Sequence, residues 1–234
     1  MLADDEYFKC ALGWFRGNGV ISREIMQFLQ QVHAPKVRHS GGTFLEHLVG
    51  THNLLHYWGN SRDLCLAGLF HSVYGTDRFT YSLVKSDEQS RHQLRQLIGA
   101  NAEHLAFLFC SFGREDLFGL SVDQVLRTEA AILIGGSREH TDLLEIEAAN
   151  FLEQRVWLIR NGQHPRAHQR LRKNLTRWAG YLMPPPESLS KGAAQDLKRF
   201  FHEAGTILSK PPQGDRDAPL RRHRIKVELA ESGY

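Results

Sequence analysis

Four histidines lie within one short stretch of this chain, HSGGTFLEHLVGTHNLLHYWG, from His39 to Gly59. The chain has 13 histidines in 234 residues, as many as it has phenylalanines. Neutral imidazole is a common ligand of Zn, Fe and Mn ions, and it also titrates near neutral pH. The stretch raises two alternatives: a metal site, or polar residues on a wet surface.

His47 is predicted to be buried. Thr43, followed three residues later by Glu46, forms the sequence pattern of a capping box and predicts that a helix begins there. Gly59 predicts its end. At 100° per residue, His47 lies in the middle of an arc of apolar side chains, which is the face that this helix must bury.

The other three histidines of this stretch receive different interpretations. His52 and His56 are spaced i, i+4, as a two-histidine metal site requires, but they lie well round the helix from the apolar arc and are predicted to face solvent. His39 precedes the helix, next to Gly41 and Gly42. Such a flexible approach would let its imidazole reach a site at the helix start.

A second buried histidine is predicted on the following helix, expected from Ser61 to Tyr74. This segment is apolar almost all round, which indicates a central helix. His71 shares a face with the small residues Ala67 and Gly68, which allow a close neighbour. Each histidine could bond to a carbonyl or carboxylate in the core, or the two could share a metal ion.

A later helix, expected from Thr141 to Arg160, carries oxygen-bearing side chains on a buried stripe. Glu147, Asn150 and Gln154 are spaced i, i+3 and i+7 on this stripe. Two imidazoles with a carboxylate or amide oxygen would suit Zn, Fe or Mn. The alternative is a network of hydrogen bonds between helices without a metal.

The periodicity is helical nearly throughout and predicts an all-α fold. Further helices are expected from an N-cap at Ser22, over residues 90–112, from Ser121, over 166–182 and over 191–208. The prolines of MPPPES interrupt the helical pattern. We therefore expect a helical domain over residues 1–183, an accessory helix over 184–208 and a flexible basic tail over 209–234.

Composition places the protein among ordinary globular proteins. Hydrophobic residues make up 41% and charged residues 24%, and the formal net charge is +3. Cys10, Cys65 and Cys110 form no CxxC pair, which fits a reducing compartment. The sequence shows neither the basic, apolar start of a signal peptide nor a membrane-spanning run, so we expect a cytoplasmic protein without membrane contacts.

The segments LEHLVGTHNLL and LCLAGLFHSVYGT resemble the first two ligand segments of the HD-domain superfamily, and most closely an uncharacterised subgroup of it. This family comprises all-helical metal-dependent phosphohydrolases and related oxygenases. The resemblance covers roughly residues 39–155. It implies that His47 and His71 are metal ligands and that the helix of Glu147 and Asn150 supplies the last one.

The chain departs from the family at Ser72, because the HD family has a metal-ligating aspartate after its second histidine. A neutral hydroxyl adds no charge to hold a divalent cation, so the usual dinuclear site is impaired while a single-metal site remains open. The missing ligand would come from one of four residues: His39, Glu46, Asp77 or Glu147. The metal-ligand candidates are thus His47, His71, Glu147, His39 and Asn150.

The resemblance leaves three functions open. The first is a phosphohydrolase that uses Fe, Mn or Zn on a small phosphorylated molecule, with Arg78, Arg91 and Arg114 as candidates to bind the phosphate. The second is an iron-dependent oxygenase. The third is a non-catalytic binding module that has lost its metal. Nucleic acid binding is not expected, since no recognition motif accompanies the basic tail, and the sequence does not indicate an oligomeric state.

Overall fold

The computed structural model describes residues 21–39, 42–76, 79–112, 137–183 and 185–213. Within these ranges the chain forms eight α-helices, a 3-10 helix at Ala34–Lys36 and a two-stranded antiparallel ribbon of β1 (Arg38–His39) and β2 (Gly42–Thr43). The helices are α1 (Arg23–Gln31), α2 (Phe44–Tyr57), α3 (Arg62–Phe70), α4 (Glu88–Ile98), α5 (Ala100–Ser111), α6 (Ser137–Arg160), α7 (Pro165–Leu182) and α8 (Lys191–Leu208). The predicted all-α fold is confirmed, and the short ribbon is the only β-structure in the part of the chain that the structure describes.

Helix α2 begins and ends as its sequence predicts. The Thr43 hydroxyl accepts a hydrogen bond from the Glu46 backbone N–H at 3.2 Å, and the Glu46 carboxylate accepts one from the Thr43 N–H at 2.6 Å. This reciprocal pair is the capping box. At the other end Gly59 takes a left-handed conformation with φ of 79°, which only glycine adopts without strain.

Two predicted helices are shorter than expected. Helix α3 ends at Phe70, so His71 stands at its C-terminal cap rather than inside it. The single helix predicted over residues 90–112 is wrong, because Gly99, with φ of 93°, separates α4 from α5. Apolar periodicity alone does not predict this break, and its local sequence signal is Gly99 itself.

Among the described residues, buried apolar side chains form two neighbouring clusters. One joins the second half of α2 to α3, α5, α6, α7 and α8, and it includes Phe151, Trp178 and Phe200. The other joins α1, the first half of α2, α3, α4 and α5, and it includes Phe44 and Phe70. Because α2, α3 and α5 contribute to both clusters, side chains on their facing sides lie deep in the molecule.

Helix α8 is anchored to the rest of the core by polar contacts as well as apolar ones. The buried Glu145 carboxylate of α6 accepts hydrogen bonds from the Ser190 backbone N–H at 3.0 Å and from its hydroxyl at 2.5 Å. The Trp58 indole donates to Asp196 of α8 at 2.8 Å. The predicted helix over 191–208 is therefore present and packed, while the helix predicted from Ser121 and residues 214–234 of the tail lie outside the described residues.

None of the described helices combines the length with the apolar composition that crossing a membrane requires.

Candidate functional site

His47 of α2 and His71 at the end of α3 meet in the interior. Their Nε2 atoms are 3.1 Å apart, and the two rings are nearly perpendicular with centroids 4.9 Å apart. His47 is 3% exposed and His71 is fully buried. The rings lie between the two core clusters, since His47 stacks on Phe44 and His71 contacts the edge of Phe109. The prediction that both histidines are inside is confirmed.

The second nitrogen of each ring is held by an acceptor. His71 Nδ1 lies 2.7 Å from the Gly68 carbonyl oxygen. A carbonyl only accepts, so the proton of a neutral His71 is on Nδ1 and its Nε2 carries a lone pair. His47 Nδ1 contacts a carboxylate oxygen of Glu153 on α6. When that carboxylate is ionised, Nδ1 donates to it and Nε2 of His47 also presents a lone pair.

Glu153 is the site residue that the sequence did not reveal. Its side chain is 11% exposed, and burial raises the pKa of its carboxyl well above the ordinary value, although Arg155 opposes the shift. Gly50 of α2 makes room for it, because a Cβ there would lie 2.6 Å from Glu153 Cγ. A glycine inside an otherwise strong helix is a sequence signal of such a close approach.

His39 completes the group of imidazoles. Its ring lies against that of His47, with centroids 4.4 Å apart and planes at 30°. The edge of Phe79 also contacts His39, at a centroid distance of 4.9 Å. The structure therefore brings His39 to His47, as the sequence suggested, through the β1 and β2 ribbon that precedes α2.

The oxygen-bearing stripe of α6 is buried at Glu147 and Asn150 but only half-buried at Gln154, and its side chains form their own hydrogen-bond chain. Asn150 donates from Nδ2 to the Glu147 carboxylate at 2.6 Å, and Gln154 donates from Nε2 to the side-chain oxygen Oδ1 of Asn150 at 2.5 Å. Glu147 and Asn150 are fully buried. Glu153 lies about 60° round α6 from Asn150, so a neighbouring face of the same helix contacts His47. The assignment of Glu147 and Asn150 as metal ligands stays a prediction.

The prediction that His52 faces solvent is wrong. His52 is buried, with 5% of its surface exposed, and His56, for which the same prediction is made, is half-buried. Burial lowers the pKa of His52, partly offset by its hydrogen bond to Asn53. The helical wheel misplaced His52 because α2 has neighbours on more than one side.

Ser72 stands at the position of the missing aspartate, and Glu46 is one candidate to replace it as a ligand. Ser72, the neutral residue after His71, is buried at 3% exposure. Glu46, which was one candidate for the missing ligand, caps α2 through its carboxylate. Asp77, another candidate, lies outside the described residues.

Arg91, predicted to bind phosphate, makes a two-point ion pair with the fully buried Glu103. Its Nε and a terminal nitrogen lie 2.7 and 3.1 Å from the two carboxylate oxygens. The guanidinium carbon also lies 3.5 Å from the centre of the Phe107 ring, and Tyr74 donates to the same carboxylate. These contacts give Arg91 a structural role. Arg78 and Arg114 lie outside the described residues, so their phosphate role stays a prediction.

The distance between the Nε2 atoms of His47 and His71 is compatible with a single divalent ion bound to both. Two imidazole nitrogens at about 2.1 Å from one ion would be about 3.0 Å apart at a right angle and about 3.4 Å apart in a tetrahedron. The observed 3.1 Å lies in this interval. Within the described ranges, however, no group of three or more His, Cys, Asp and Glu side chains is arranged to hold a metal ion. Among the described residues, the site thus offers two candidate ligands, His47 and His71.

Comparison with known proteins gives one similarity. Residues 28–114, little more than a third of the chain, match a Domain of unknown function (DUF6817). This region contains His39, His47 and His71 and ends before α6. No curated protein and no solved structure matches the chain. The three histidines therefore belong to a segment similar to that domain, whereas Glu153 lies beyond it.

Proposed function

We propose that the chain is an HD-like metal-dependent phosphohydrolase that holds one divalent ion, Fe, Mn or Zn, between His47 and His71. The substrate would be a small phosphorylated molecule in the cytoplasm. The observation that carries this proposal is the 3.1 Å separation of the two Nε2 atoms, with both Nδ1 atoms held by acceptors.

The acceptors behind the two rings support a ligand role. Histidines that bind metals commonly donate their other N–H to a carboxylate or a backbone carbonyl, which fixes the ring and makes the ligating nitrogen more basic. Glu153 serves His47 in this way and the Gly68 carbonyl serves His71. Because these two acceptors hold the Nδ1 atoms, the orientation of each ring is fixed and the two Nε2 atoms stay close to each other.

The neutral side chain of Ser72 favours one ion over two, because a hydroxyl adds no negative charge to hold a second divalent cation. A divalent ion held there would supply Lewis acidity, by which water could be activated and a phosphoryl oxygen polarised. His39, Glu147 and Asn150 remain the protein candidates for further coordination. His39 also covers one face of His47 and limits access of bulk water.

A second candidate is a non-catalytic module without metal. The same 3.1 Å separation also allows a direct hydrogen bond between the two Nε2 atoms. In this state His47 would carry a proton on Nε2. The serine at position 72, where the HD family has aspartate, would then be explained by a loss of metal binding.

Metal content tests the proposal directly. We expect about one equivalent of a first-row divalent ion in protein purified without chelators or after reconstitution. His47→Ala and His71→Ala should each lose it, and His56→Ala, which changes a half-buried histidine of the same helix, should keep it. Full metal retention by either His47→Ala or His71→Ala would disprove the site.

Activity then separates the three functions. Release of phosphate from a panel of small phosphate monoesters, supported by the reconstituted ion and lost in His71→Ala, supports the hydrolase. Iron-dependent oxygen consumption without phosphate release would identify an oxygenase instead. Absence of metal binding after reconstitution with Fe, Mn and Zn would leave the non-catalytic module.

A further inference from the structure

Positive charge is concentrated in one continuous region of this chain. Residues 154–186 contain seven Lys and Arg residues and no Asp or Glu. The net charge of the entire chain is only +3, so the remainder carries an excess of negative charge. The region comprises the last two turns of α6 and the whole of α7.

Helix α7 arranges its cations in a row on the exposed side. Arg166, Arg170, Lys173 and Arg177 follow the spacing i, i+4, i+7 and i+11, which places them within about 60° of one another round the helix. All four are exposed. At about 1.5 Å per residue the row is roughly 16 Å long. Arg155 of α6 adds a further cation beside it, since its Nε donates to Asn174 of α7 at 3.0 Å.

The opposite face of α7 packs in the hydrophobic core. Its buried side chains are Ala167, His168, Leu171, Trp178 and Leu182, most of which pack in the cluster that α6 and α8 share. A helix that binds a membrane surface needs its apolar face for the lipid. Here that face is covered, and the polar, exposed Gln169 and Thr176 lie beside the row on one side. On the other side Tyr181, 37% exposed, is a single apolar neighbour.

We propose that the exposed row of α7 binds the phosphate backbone of a nucleic acid. Guanidinium groups bind phosphate oxygens in a two-point geometry, and three of the four cations of the row are arginines. Evenly spaced cations on a straight helix contact successive phosphates without reading bases, so the binding is independent of sequence. This surface is separate from the histidine site and does not depend on its metal.

Fluorescence anisotropy with labelled 20-nucleotide single-stranded RNA, single-stranded DNA and duplex DNA tests the proposal. We expect binding at low salt, with log affinity falling against log salt at a slope of about −3, since each phosphate contact contributes about −0.7 to −0.9. The variant Arg166→Glu, Arg170→Glu, Lys173→Glu should bind at least tenfold more weakly and lose most of the slope. The three probes show which form of nucleic acid is preferred.

A matched variant controls for net charge. Lys36→Glu, Arg62→Glu, Lys85→Glu makes the same change of charge at exposed positions outside α7, and it should retain most of the affinity. Circular dichroism and thermal melting check that both variants remain folded. Replacing the three α7 residues by Gln instead of Glu should give an intermediate loss of affinity. The proposal is overturned if wild-type protein binds none of the probes, if both triple variants lose affinity equally, or if the protein binds phosphatidylserine vesicles but no nucleic acid.

Discussion

Glu153 of α6 contacts the Nδ1 atom of His47 on α2, although 106 residues separate them in the sequence. This contact fixes the ring that faces His71. It also joins the segment similar to the domain of unknown function to a helix outside that segment. The geometry of the histidine pair therefore depends on how α6 packs against α2.

Replacing Glu153 by Gln should weaken metal binding about 10- to 100-fold, because the neutral amide no longer raises the basicity of His47. Isothermal titration of metal-free protein with Zn or Mn measures the affinity. Glu187→Gln, at an exposed position, serves as the control and should leave the affinity unchanged. Equal affinities for the wild type and Glu153→Gln would remove Glu153 from the site.

Gly50→Ala should destabilise the protein by about 1–3 kcal/mol, because the new Cβ would lie 2.6 Å from Glu153 Cγ and the two helices are closely packed there. Gly180→Ala is the matched change on α7. A Cβ there meets nothing within 4 Å, so it should stabilise the helix by about 0.5–1 kcal/mol. Urea denaturation measures both, and a stabilising Gly50→Ala would contradict the close approach of α6.

Arg91→Leu should lower the free energy of unfolding by about 3–5 kcal/mol, since it leaves the fully buried Glu103 carboxylate without its cation. Tyr74→Phe removes one hydrogen bond to the same carboxylate and should cost about 1–3 kcal/mol. Chemical denaturation checks both values. Wild-type stability in Arg91→Leu, accompanied by a raised KM for a phosphorylated substrate, would instead restore the phosphate-binding role.

His52 should make the protein less stable in mild acid. Burial lowers the pKa of its imidazole in the folded state, so below the ordinary value of 6.5 the unfolded chain binds a proton that the folded protein resists. The free energy of unfolding should thus fall as pH decreases from 7 to 5. In His52→Gln this fall should be smaller, by at most about 1.4 kcal/mol per pH unit. His92→Gln, an exposed control, should behave as the wild type, and identical slopes in all three proteins would refute the prediction.

The local sequence was sufficient to predict much of the scaffold. Ser22 and Thr43 begin helices where their side chains accept hydrogen bonds from the backbone three residues on, because capping is an interaction within one turn. The burial of His47 and His71 also followed from helical periodicity. These features depend on residues a few positions apart, and the sequence shows such neighbours directly.

The rest was decided by packing between distant segments. The sequence indicated a buried polar stripe on α6, but whether Glu147 or Glu153 reaches His47 depends on the rotation of α6 against α2. The burial of His52 likewise depends on neighbours from other parts of the chain. Periodicity specifies which face of a helix is apolar, whereas the partner that each side chain meets is fixed only when the helices pack together.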